Sequence, residues 1–203
     1  YSMMLESHND VAVAIAEHIG GDIESFINSQ EFKIDCLNKN IAPEELDKIK
    51  FDYVLYDRDN NIYKDIFEEL KDVLEKDEMD YEKYAEYISK LFIVDLYTLN
   101  NKISKDDVGG SQFVKDDIRE NFELNASRTM YKYINSENKK NLPEVSNIEL
   151  VQIKKSTYKI SDKDYESYEV SLKWEYKEDL GYDKDGTIYV IKDKDELFVV
   201  EKK

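Results

Sequence analysis

Residues 168–177 alternate without a break. Tyr168, Val170, Leu172, Trp174 and Tyr176 are apolar or aromatic, and Glu169, Ser171, Lys173, Glu175 and Lys177 fill the positions between them. A period of two sends successive side chains to opposite faces, so the run describes a strand with one dry face and one wet face. Such a strand needs paired neighbours and an apolar layer over its dry side. Its neighbours are legible. Residues 148–160 are rich in β-branched side chains, and 188–191 and 197–200 are short apolar runs. Gly181 to Gly186 and Asp193-Lys194-Asp195 supply turn residues between them. Connections this short join antiparallel strands, which predicts a four-stranded meander.

The covering layer is predicted from residues 81–134. Tyr84, Tyr87, Ile88, Leu91, Phe92, Leu96 and Leu99 recur at helical spacing after Asp80, a helix N-cap. Leu91-Phe92-Ile93-Val94 is apolar on several faces, which predicts burial on more than one side. Asp95 interrupts that run. Gly109-Gly110 then predicts a loop between helices, with Ser111 as N-cap of a second long helix. Its stripe is Val114, Ile118, Phe122, Ala126, Met130 and Ile134. Residues 135–141 are polar, and Pro143 ends any helical tendency.

Upstream the pattern is looser. Residues 3–28 are helix-like, interrupted at Gly20-Gly21. Pro43-Glu44-Glu45-Leu46 reads as a helix start. Residues 51–56 fit a short strand or extended link, 57–61 a polar turn, and 62–76 a helix with a stripe of Ile66, Phe67, Leu70, Val73 and Leu74. The charged joint at 76–80 divides the expectation into a mainly helical segment, 1–78, and an α+β domain, 79–203. The expected fold class is therefore α+β: N-terminal helices followed by a four-stranded antiparallel curved sheet.

Charge narrows the function. Lys and Arg number 29 against 46 Asp and Glu, a net charge of −17. Such a surface repels nucleic acid and anionic lipid, so no nucleic-acid partner is expected; it suits solubility, cations or a basic protein partner. No run of about 18 apolar residues is present to span a membrane. The chain starts at Tyr1 rather than Met, which reads as a processed or trimmed fragment. A membrane connection is expected only through an anchor upstream. Cys36 is alone, so a disulfide framework and a multi-cysteine metal site are excluded. His8 and His18 share no helical face.

Several residues carry candidate chemistry. From Asp57, oxygen-bearing side chains fall at the first, third, fifth, ninth and twelfth positions: Asp57, Asp59, Asn61, Asp65 and Glu68. That is the ligand spacing of a calcium loop, but Ile62 stands at the sixth position, where the sharp turn needs glycine. A polar turn leading into the next helix is the better reading of these residues. Asp95, flanked by Val94 and Leu96, reads either as a pocket acid or as a buried carboxylate paired with a strand tyrosine, Arg119 or Arg128; pairing is favoured. Gly109-Gly110 offers a backbone anion nest, but without a lysine or phosphate-loop pattern a helix-to-helix turn is the favoured reading. Sixteen tyrosines against eight phenylalanines suit half-wet positions between sheet and helices. Asp95, Tyr87, Tyr131, Trp174 and Tyr176 are the candidate lining of a ligand cleft there, with tyrosines that simply rim the core as the favoured alternative. No cofactor is expected, since no phosphate loop, nucleophile elbow or paired-histidine metal motif occurs.

Residues 87–102, the run Asp107-Val108-Gly109-Gly110-Ser111-Gln112-Phe113-Val114, the run Tyr131-Lys132-Tyr133-Ile134, then Trp174-Glu175-Tyr176 and Asp179-Leu180-Gly181-Tyr182, resemble a family of uncharacterised exported proteins of clostridia and bacilli. The likeness covers about residues 80–203. It implies an N-terminal membrane segment or lipid anchor, and it brings no catalytic residues. The order of elements is also similar to the NTF2-like cone of VirB8-type conjugation proteins, a likeness of fold alone. These resemblances imply a membrane-anchored or lipoprotein-type, extracytoplasmic Gram-positive binding or scaffold domain without catalysis, acting through a protein partner. The alternatives are an acidic immunity or inhibitor protein that binds a basic partner, and a small-molecule enzyme with Asp95 in an NTF2-like pocket.

Overall fold

The computed structural model describes residues 43–134 and 142–203. The chain divides into two compact units after Ala42, and the second spans Pro43–Lys203. The helix expected at 3–28, His8, His18, Cys36 and the polar link at 135–141 lie outside the described residues.

The second unit opens with an antiparallel hairpin, β1 (Glu45–Lys48) and β2 (Val54–Tyr56). A 3-10 turn, Lys50–Asp52, joins the strands, and Phe51 and Asp52 both adopt left-handed backbone conformations there. The expected helix start at Pro43 is thus a strand, and a hairpin precedes the helices. Tertiary pairing overrides the local preference. Val54 and Leu55 are buried and β2 needs a partner. Asp57 closes the hairpin, its carboxylate accepting from the Glu44 amide at 3.1 Å while its own amide donates to the Glu44 carbonyl at 2.9 Å.

Two helices follow, α1 (Asn61–Leu74) and α2 (Tyr81–Tyr97). Asn60 caps α1 by accepting from the Tyr63 amide, and Asp80 caps α2 by accepting from Glu82 and Lys83. The joint at 76–80 lies inside this unit, and α1 packs along α2 across it. A long loop leads to a 3-10 turn, Ser111–Phe113, and then to α3 (Asp116–Arg128). The second long helix is therefore shorter than its stripe suggests. Ser111 opens the 3-10 turn, and Val114 leaves helical geometry to bridge in parallel to Val199. Tyr131 and Ile134 are buried beyond the helix end.

The C-terminal sheet has the order β3 (Val145–Ile160), β4 (Lys163–Tyr176), β5 (Asp185–Asp193) and β6 (Glu196–Lys202), every pair antiparallel. The alternation at 168–177 holds. Tyr168, Val170, Leu172 and Trp174 are buried, while Lys173 and Glu175 are exposed. Two-residue turns close β3–β4 and β5–β6, with Ser161 and Lys194 at positive φ. Bulges interrupt the register of β3 near Asn147 and Gln152, and of the β5–β6 pair at Tyr189/Val190. Helix α2 touches all four strands on one side and α1 on the other, which accounts for its apolar residues on several faces. The described unit is α+β, with three α-helices, the four-stranded sheet and the small hairpin.

Candidate functional site

Asp95 sits in the last turn of α2. One carboxylate oxygen pairs with Lys102, whose side chain is 0% exposed, and the other accepts from the Gly110 amide at 2.6 Å. The partner expected from the sequence, Arg119, Arg128 or a strand tyrosine, is replaced by Lys102. The chain leaves α2 at Tyr97 and turns straight back, which brings residue 102 against the helix end. Arg119 instead donates to the Ser111 and Val114 carbonyls and pairs with Asp116.

Gly109-Gly110 belongs to the same assembly. A Cβ on Gly109 would stand 2.0 Å from the Asp95 carbonyl oxygen. At Gly110, φ is +79° and a Cβ would meet the Phe92 ring at 2.7 Å. The two glycines let the loop backbone press onto α2, and the anion that their amides meet is the chain's own Asp95. Tyr131 seals the group. Its hydroxyl donates to the Leu96 carbonyl at 2.7 Å and accepts from the Gly109 amide at 3.1 Å. Burial, then the charge of Asp95, raises the Tyr131 phenol well above its ordinary value.

A second ion pair continues the network. Arg58 holds Asp107 through its two terminal guanidinium nitrogens, and Asp107 also accepts from the Ile103 amide at 2.9 Å. Burial pushes the Asp107 carboxyl up, but the Arg58 hydrogen bond and charge outweigh it and the net shift is downward. Asp59 is 6% exposed and accepts from the Tyr56 amide at 2.8 Å. Burial, then the nearby charge of Asp95, raises its carboxyl to about 6. Three acids thus share two cations, and Asp59 carries the excess.

The other cleft candidates separate. Trp174 donates to the Tyr176 hydroxyl at 2.8 Å, which donates to the Asp183 carbonyl at 2.7 Å. Tyr97 stacks near Trp174, with ring centroids 5.3 Å apart, and donates to the Asp183 carboxylate. Lys202 lies 5.5 Å from the Tyr97 ring and 5.9 Å from that of Trp174, and it also pairs with Asp183. This aromatic corner is filled by the chain's own cation. Tyr87 stands apart, half-buried on α2 with Lys90 over its ring. The structure brings Asp95 to Tyr131 and Trp174 to Tyr176, and does not join the five in one cleft.

The calcium-spaced residues do not converge either. Asp57 and Asp59 accept from backbone amides, Asn61 begins α1, and Asp65 and Glu68 lie on its exposed side. Among the described residues no group of three or more His, Cys, Asp or Glu side chains is placed to hold a metal ion.

Open space lies elsewhere: a polar cavity of about 200 Å³ beside Asn100, Glu144 and Lys177, and two cavities along α3 and β6. One cavity of about 280 Å³ is walled by Phe92 and Leu96 of α2, Val114, Ile118 and Phe122 of the α3 region, and Val199 of β6. A wider one, about 750 Å³, is walled by Phe51, Tyr56, Gln112, Asp116, Glu196 and Phe198 among others. The Glu196 backbone pairs with Asp193 in the sheet, and its carboxylate makes no hydrogen bond or salt bridge among the described residues. Burial, then the charge of Asp116, raises its carboxyl against the lowering charges of Arg119 and Lys115. Sequence reasoning missed these residues. Ile118 and Phe122 read as core stripe, and nothing local marks Glu196 or the left-handed Phe51. No protein-family model, curated protein or solved structure matches the chain.

Proposed function

We propose that the chain is a non-catalytic binding or scaffold domain, with the cavities along α3 and β6 as its site. The observation that carries this reading is a contrast. Both oxygens of Asp95 are engaged, one with Lys102 and one with the Gly110 amide, while the apolar cavity opens beside the half-buried Ile118 and Phe122. Pockets that bind small molecules or side chains are concave and mostly apolar with a few placed polar groups, which this region matches. A carboxylate engaged on both oxygens is a poor general acid or base, so the enzyme reading centred on Asp95 loses its support. An acidic inhibitor of a basic partner remains a second reading, favoured by the net charge of −17.

The wider setting belongs to the same proposal: an extracytoplasmic domain of a Gram-positive exported protein, membrane-tethered through an upstream anchor, with an NTF2-like sheet. Titration of the labelled protein with a small-molecule fragment collection tests the site. Amide shifts gathered on Ile118, Phe122 and Val199 are expected. Shifts gathered on Asp95, Lys102 and Tyr131 would favour a pocket enzyme instead. Protease access to the domain on intact cells tests the location.

A further inference from the structure

The proposed binding role can be sharpened to a class of partner, and the sharpening rests on that role. Helix α3 divides two cavities of different chemistry. Ile118 and Phe122 wall the apolar one; Asp116 and Arg119 wall the other. Strand β6 is divided in the same way, with Val199 on the first and Glu196 and Phe198 on the second. We propose that these paired cavities receive a basic segment of a partner protein, which puts a large apolar side chain against Ile118 and Phe122 and a lysine or arginine against Glu196.

Three observations choose this occupant. First, the apolar cavity of about 280 Å³ is the right size for one large side chain, and Phe122 meets Phe92 in it with ring centroids 5.7 Å apart. A single aromatic or aliphatic anchor in such a pocket supplies much of the energy of a protein interface. Second, the wider cavity has an acid to spare. Its Arg119 donates to two backbone carbonyls and pairs with Asp116, and the charges of Arg119 and Lys115 reach the Glu196 carboxylate without forming a salt bridge to it among the described residues. Third, the surroundings have the matching sign. Asp117 and Glu120 are exposed on α3, and the whole chain carries −17. An acidic field attracts a basic partner and rejects an acidic one.

The test selects a randomised dodecapeptide library on the full chain, then measures the enriched peptides on Phe122→Asp and Glu196→Gln. Glu196→Gln is close to isosteric, so it keeps the test decisive if Phe122→Asp loosens the fold. Enriched sequences with net positive charge and one large apolar residue are expected. Each substitution should then weaken their binding by at least about tenfold. Enriched sequences that are neutral or acidic, or that bind Glu196→Gln unchanged, overturn the partner class. If they still lose binding to Phe122→Asp, the binding role itself survives. No enrichment, together with no fragment shifts at Ile118, Phe122 and Val199, overturns both.

Discussion

Replacing Lys102 by methionine keeps the length of the side chain and deletes its charge. Lys102 is fully buried, and its partner Asp95 is 16% exposed. Removing one member of a buried ion pair costs about 3–5 kcal/mol, because the other is left uncompensated. Asp95 retains the Gly110 amide and some water, so the lower end applies, about 3 kcal/mol. For a domain of this size that lowers Tm by about 6–12 °C. The second substitution, Asp95→Asn, removes the stranded charge and keeps an acceptor for Gly110. The double variant should recover most of the loss, with a coupling of about 2 kcal/mol. Urea unfolding followed by the fluorescence of Trp174 is the assay. It is the chain's single tryptophan and is buried in this unit, so it reports on these residues. A loss below about 1 kcal/mol for Lys102→Met, or a double variant no better than the sum of the singles, would refute the account.

The same geometry sets other outcomes. Gly109→Ala should unfold the unit or cost more than about 3 kcal/mol, since its Cβ would meet backbone at 2.0 Å. Gly181→Ala, at φ +80° with nothing within 4 Å, should cost only about 1–2 kcal/mol in the same melts. Asp59 binds its proton more tightly folded than unfolded, so its contribution favours the folded state as pH falls. Between about pH 7.5 and 4.5 that contribution is about 2 kcal/mol, read as the difference between the pH–stability curves of the parent and Asp59→Asn. Superimposable curves would remove Asp59 from the network's electrostatics. Millimolar calcium should leave the melting temperature unchanged, because Asp57 and Asp59 already accept from backbone amides and Glu68 lies on the exposed side of α1. A rise of several degrees would restore the calcium reading.

Local periodicity determined the parts of the fold whose causes are local. The alternation at 168–177, the apolar stripe of α1, the many-sided apolarity of α2 and the capping residue Asp80 all depend on neighbours within a few positions, and all are visible in the sequence. The sequence also drew attention to Asp95 and to Gly109-Gly110 as two separate anomalies. Tertiary structure made them one: the glycines let the loop backbone reach the helix, and the carboxylate meets its amide there. The pairing of Arg58 with Asp107, the burial of Lys102, and the strand at Glu45–Lys48 in place of a helix start were likewise decided by distant residues. Glu196 and Phe122 reach their cavities only because β6 and α3 meet beside the Val114–Val199 bridge. Propensity and hydrophobic period act over a turn or a pleat. Ion pairs, close backbone approach and cavities depend on which segments meet in three dimensions, and that is why composition alone left them unseen.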